Sequence, residues 1–210
     1  MHLTCLCYDR HEIDEFSRQL ASEGIQNVLA LRGDRNPHIP EKEDFRHASD
    51  LITYLRQKED FCIAGACYPE CHPESANSME EMQYLKKKVE AGAEILLSQL
   101  FFDNRHFYKF SADCRNAGIN VPITPGIMPV TNAAQIQRMI CMCGASLPES
   151  LQKMVSRYSS DHTALIEAGI DYAVKQILDL LANQADGIHL YTMNNPAVAK
   201  KICDQIQHMI

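Results

Sequence analysis

An α/β fold on a parallel sheet is what this sequence predicts: a TIM-type (β/α)8 barrel, here incomplete, with about six βα units. Three observations predict it. Short apolar runs begin near residues 2, 27, 61, 94, 122 and 187, and each gives way to a segment of helical periodicity. The runs are continuous rather than alternating, as in strands covered on both faces. No G-x-G-x-x-G or Walker-type loop follows any of them, which lowers the doubly wound nucleotide-binding alternative. A closed barrel needs eight units and typically roughly 250 residues. The 210 residues of this chain suit a single partial β/α-barrel domain.

The first run, His2 to Cys7, is short and β-prone, and Ile13, Phe16 and Leu20 then form one helical stripe that stops at Gly24. Val28 to Leu31 reads as a buried strand that breaks abruptly into Arg32-Gly33-Asp34. A loop through Pro37 and Pro40 leads to a helix near 44–58. Phe61 to Pro69 is the third strand, ending in the polar cluster Glu70 to Ser75. The helix near 78–91 turns Met79, Met82, Leu85 and Val89 inward, and its run Lys86-Lys87-Lys88 reads first as a solvated face. Glu94 to Phe102 is the fourth strand, with Gln99 near its end, and a helix follows to Gly118.

Residues 122–129 read as a strand whose three prolines demand an irregular end. Beyond a helix near 132–141, Ser146-Leu-Pro-Glu149 has the spacing of a capping box. The next helix carries an apolar seam of Ile166, Ile170, Ala173, Ile177 and Leu180. A last strand spans 187–194, and the terminal helix turns Val198, Ile202, Ile206 and Met209 inward.

A formal charge of −7 with 46% hydrophobic residues is an ordinary globular composition. It offers no basic stripe for nucleic acid. No apolar run approaches the roughly 20 residues that span a bilayer. The amino-terminal segment lacks the pattern of a signal peptide, so a cytoplasmic protein without a membrane partner is expected. Nine cysteines without a C-x-x-C pair read as reduced core thiols rather than a metal site.

In a barrel, chemistry gathers at the carboxyl ends of the strands. There this chain supplies His2, Arg32-Gly33-Asp34, Tyr68, Glu70 with His72, Gln99 with Asp103, and Tyr191 with Asn194. Each alone has an ordinary structural reading; their coincidence at successive strand ends favours a shared site. The mixture of aromatic, amide and histidine with a single Asp suits a flat polar heterocycle better than hydrolysis. An unrelated barrel lyase using Asp34 and His72 is a weaker alternative.

These strand ends carry a resemblance. A-L-R-G-D at 30–34, Y-P-E-C-H-P-E at 68–74, K-K-K-V-E-A-G-A at 86–93 and S-Q-L-F-F-D at 98–103 resemble the 5,10-methylenetetrahydrofolate reductase family. H-L-T-C at 2–5, H-A-S-D-L at 47–51, P-I-T-P-G-I-M-P at 122–129 and Y-T-M-N at 191–194 resemble it too, in the family's order. The resemblance implies a flavoprotein barrel that passes hydride from NADH or NADPH through FAD to methylenetetrahydrofolate. It implies FAD contacts from His2, Leu31, Arg32, Gly33, Asp34, His47, Ala48, Tyr68, His72, Glu81 and Lys88. It casts Asp34 and Gln99 as the catalytic pair, and Gln99, Met139 and Tyr191 as lining for the folate.

The resemblance starts at the family's third strand, so two βα units and the glutamate of its E-F-F-P-P motif have no counterpart in these residues. His47, Glu81 and Asn195 stand where many bacterial members have Tyr, Asp and Arg. A folate-reducing enzyme is therefore one expectation. A non-catalytic flavin-binding remnant or subunit that needs a partner is the other. Two unpaired sheet edges, with self-association or a partner protein, are expected in either case.

Overall fold

The computed structural model describes residues 1–58 and 60–208, and six parallel strands alternate there with helices. The strands are β1 (His2–Thr4), β2 (Asn27–Leu31), β3 (Cys62–Cys67), β4 (Ile95–Leu100), β5 (Ile123–Ile127) and β6 (His189–Leu190). They pair in strict chain order, β1-β2-β3-β4-β5-β6, into one open sheet. The helices are α1 (Arg10–Ser22), α2 (Ala48–Arg56), α3 (Ser78–Glu90), α4 (Asn104–Asn116), α5 (Ala133–Cys143), α6 (Glu149–Arg157), α7 (His162–Ala182) and α8 (Pro196–Ile206). The fold is of the TIM-barrel type, with the barrel not closed.

Alternation along the strands sorts their side chains. Val28 and Ala30 of β2, Ile63 and Cys67 of β3, and Leu96 and Leu100 of β4 are buried. Their neighbours Leu29, Leu31, Ala64, Ala66, Leu97 and Gln99 are only half-buried, as an open interior face allows. Cys5 and Cys67 are fully buried, and Cys7 and Cys62 half-buried, so these thiols serve as small apolar side chains. The α7 seam packs as its spacing predicts, with Ile170, Ala173, Ile177 and Leu180 in one cluster beside Val198, Ile202 and Ile206 of α8. Met209 lies outside the described residues.

Several expectations need correction. β6 has two residues, not eight, and Ile188 and Leu190 only rest against the core. Met79 is 74% exposed, because α3 directs Glu81 and Leu85 inward instead. The helix expected near 44–58 begins only at Ala48, since the Asp50 carboxylate binds the Arg46 and His47 N–H groups and fixes the entry. Ser146 does not cap α6; Pro148 holds that position without a side-chain bond, and the Ser146 N–H donates to Glu70 at 3.0 Å.

The proline-rich strand ends in coil after Ile127, as expected. Pro125 lies inside β5, and the irregularity falls on β4, where the register shifts between Leu97 and Leu100. Pro125 has no N–H for the ladder. The Gly126 N–H donates to Ser98 Oγ at 2.8 Å in its place. Bulges of this kind re-aim the side chain beside them, here Gln99.

Burial first, and then the charge of His2, hold His189 below the ordinary histidine value. The unfolded chain thus takes up this proton more readily. The associated stability is complete above about pH 6.5 and is lost as pH falls through the lowered folded value. His189→Gln is expected to flatten the fall in melting temperature below about pH 6.5. An unchanged slope in thermal melts would assign that fall to other groups.

Candidate functional site

The carboxyl ends of β2 and β3 open into a cavity of about 170 Å³, walled on the outside by α2 and α3. Leu31 and Arg32 come from the end of β2, and His47 and Ala48 from the start of α2. Tyr68 and His72 follow β3, while Glu81 and Lys88 project from α3 one above the other. These eight expected cofactor residues therefore share one cavity. Ser49, Ser75, Tyr84 and Glu74 line it as well, and sequence reasoning gave them no role.

Charge is distributed unevenly here. Lys88 is sunk behind the cavity, where its Nζ donates to the Ala66 carbonyl at 2.8 Å. Burial pulls its pKa down, and neighbouring Glu81 opposes that pull. Glu81 is itself 5% exposed and accepts the Ser75 hydroxyl at 2.7 Å. Lys86 and Lys87 remain exposed, so only one residue of the basic run leaves solvent. At the rim, the two Nη atoms of Arg32 donate to the two Glu74 oxygens at 2.5 and 2.9 Å. The Arg32 guanidinium holds the Glu74 carboxyl well below its usual range, at about 2.

Aromatic faces complete the walls. His47 stacks on Tyr84 at 5.5 Å, and Tyr68 meets His72 edge-on at 4.5 Å. His72 does not cap α3, as Asn77 does that; its Nδ1 accepts the Glu74 N–H at 3.0 Å.

Tyr68 also links this cavity to the barrel axis. Burial raises its phenol pKa, and the charges of Glu81, Asp34 and Tyr191 add to the effect. Asp34 and Tyr191 therefore stand close enough to act on it, although neither lines the cavity. Gly33, at φ +91°, sets the turn that carries Asp34, and a Cβ there would come 3.1 Å from the Thr4 Cβ. The Tyr191 hydroxyl donates to the Ser98 carbonyl at 3.0 Å, beside Gln99. The Gln99 Oε1 accepts the Leu100 N–H at 2.9 Å. Met139 joins Tyr191 in one apolar cluster over this end of the sheet. Cys143 lies within the electrostatic reach of Asp34 and Tyr191, a neighbour that sequence spacing did not reveal.

His2 opens β1 and pairs in register with Leu29; like Gly33 and Asp34, it does not line this cavity. Glu70, Ser146 and His106 also assemble, with Ser146 Oγ 3.3 Å and Glu70 Oε2 3.6 Å from the same ring nitrogen, His106 Nε2. A nucleophilic triad needs the serine and the carboxylate on opposite nitrogens, so this group serves to join two loops.

Fold and site together define a TIM-type β/α protein whose polar residues collect where its parallel strands end. The chain belongs to the methylenetetrahydrofolate reductase family, whose model matches residues 1–207. Methylenetetrahydrofolate reductase (NADH) 1 of Arabidopsis thaliana is 39% identical over 210 residues, covering 92% of this chain and 35% of that protein. 5,10-Methylenetetrahydrofolate reductase of Escherichia coli (strain K12) is 34% identical over 202 residues, covering 96% of this chain and 68% of that one. The chain thus spans about a third of the length of the plant relatives it matches. Among solved structures, an uncharacterized protein from Clostridium thermocellum, described as binding two copies of 5-methyl-5,6,7,8-tetrahydrofolic acid, superposes with a TM-score of 0.61. That match has 14% identity and covers 100% of this chain and 72% of the other; it shows the fold alone.

Proposed function

We propose that residues 1–210 form one partial β/α-barrel domain that carries the flavin and folate site of a cytoplasmic methylenetetrahydrofolate reductase. The observation that carries this reading is the convergence of eight expected flavin residues on one cavity in a chain of this family.

The residues present fit a flavin nucleotide. A cation sunk behind the wall at Lys88 and a guanidinium at the rim suit phosphate, and Tyr68, His47 and Tyr84 offer flat faces. About 170 Å³ is below the roughly 300 Å³ of a cavity that encloses a whole drug-sized ligand. The cavity would therefore take one portion of FAD and leave the rest to the open mouth.

When bound, FAD supplies a hydride acceptor for NADH or NADPH and a hydride donor for methylenetetrahydrofolate. The protein's own part is positional and electrostatic. Lys88 and Arg32 would hold anionic groups, and Tyr68 joins the nucleotide cavity to the barrel axis. With its oxygen engaged by Leu100, Gln99 presents its NH2 as a donor for a folate ring edge. Asp34, on the Gly33 turn, would act electrostatically on ring charge that changes during hydride transfer.

Purified protein that shows a flavin absorbance band and oxidises NADH or NADPH with menadione or methylenetetrahydrofolate supports this reading. Protein with neither flavin nor oxidation overturns it. In active protein, Asp34→Asn is expected to slow folate reduction by roughly tenfold or more while flavin affinity stays within about twofold. Equal rates in stopped-flow reoxidation would remove Asp34 from the chemistry.

The unpaired outer edges of β1 and β6 favour a second reading, a flavin-binding subunit that reduces folate only with a partner or a second copy. Steady folate turnover by the monomeric chain alone would exclude it.

A further inference from the structure

We propose that Glu74 sets the charge selectivity of this cavity: its carboxylate occupies the seat on Arg32 that a ligand phosphate would otherwise take. The inference rests on the flavin-nucleotide reading above and adds to it a displaceable internal anion.

The geometry at the rim carries the argument. Arg32 is fixed at its base, where Nε donates to the Gly33 carbonyl at 3.2 Å. Its two Nη atoms then meet two oxygens of a single carboxylate, at 2.5 and 2.9 Å. This fork serves carboxylate and phosphate alike. The guanidinium thus already holds an anion, and a phosphorylated ligand gains it only by exchange.

Glu74 is built to leave. Its side chain is 52% exposed against 23% for Arg32. Among the described residues Arg32 is its only hydrogen-bonding partner through the side chain. Its backbone is held separately, by the His72 ring and the Ser75 N–H to His72 carbonyl bond, so the side chain can swing without moving the loop. The fork is well made, but its half-exposed carboxylate lies open to water, salt and any competing anion. The inner cation differs, because Lys88 is engaged with the Ala66 carbonyl and has buried Glu81 nearby. The cavity therefore has an inner amine held by the protein itself and a guanidinium whose availability Glu74 governs. Uncharged ligands gain nothing from the exchange, whereas phosphorylated ones must compete with it.

Glu74→Gln tests this by calorimetric titration of the full chain with FAD, riboflavin and ADP. The expected result is about tenfold tighter binding of FAD and ADP, with riboflavin unchanged. Glu41→Gln is the control, since it removes a carboxylate 3.6 Å from Arg35 and leaves the Arg32 pair intact. Unchanged or weakened FAD binding in Glu74→Gln would overturn the proposal and assign Glu74 to holding Arg32 in place. Equal tightening of riboflavin, or the same gain in Glu41→Gln, would also overturn it. If no flavin binds to either protein the flavin reading fails, and ADP alone decides: tighter binding in Glu74→Gln supports the exchange, and no difference refutes it.

Discussion

Alanine at position 169 is expected to destabilise the protein by about 3 kcal/mol or more, the upper end of overpacking costs. Two effects oppose each other. Alanine is a better helix residue than glycine by about 1 kcal/mol, so in an open helix the change would stabilise. At Gly169, however, a Cβ would fall 1.8 Å from the Val130 carbonyl oxygen and 2.7 Å from its carbon. Both are backbone atoms where the chain leaves β5, and no side chain is there to rotate away. Separating α7 from that segment would loosen Ile170, Ala173 and Ile177 from the main core. For a chain of this size the melting temperature should drop by roughly 10 °C. A melt within 2 °C of the parent would show that α7 shifts along its axis at little cost.

The second large effect is on binding. The double variant Lys88→Met with Glu81→Gln is expected to lose roughly 30- to 100-fold in FAD affinity while its melting temperature moves by only a few degrees. Removing Lys88 alone would strand the buried Glu81 carboxylate, which among the described residues keeps only the Ser75 hydroxyl. Removing both charges leaves no unpaired ion. Titration with FAD and with riboflavin separates the causes. If riboflavin weakens as much as FAD, the loss reflects cavity shape, and the Lys88 charge is irrelevant to the phosphate.

Much of this architecture was legible in the sequence because βα units are local. Each apolar run and its helix carry their own period, so Leu51, Ile52 and Leu55 announce α2 without reference to anything distant. The Arg32-Gly33-Asp34 break was legible because charge seldom follows a buried run unless the chain has surfaced. Glu74 was not, since its meaning depends on a guanidinium 42 residues away. Lys88 and Lys86 look alike in sequence; only the turn of α3 decides which one lines the cavity. Pro125 told only that a ladder bond is missing; that Ser98 on the neighbouring strand supplies the replacement could not be read from it. The brevity of β6 escaped notice because Ile188 and Leu190 are apolar whether or not a ladder continues past them.

The sequential strand order also dictates how the chain can assemble. Each of the first four pairings joins strands separated by a single helix, so every strand docks on one already made and closes a modest loop. Such a chain can fold in the order of its synthesis, amino end first. The last pairing is different. Three helices intervene before β6 returns to β5, and only Gly126↔His189 and Ile127↔Leu190 reward that return. The longest closure thus earns the smallest ladder. Tyr191 at the mouth therefore hangs on the shortest ladder of the sheet.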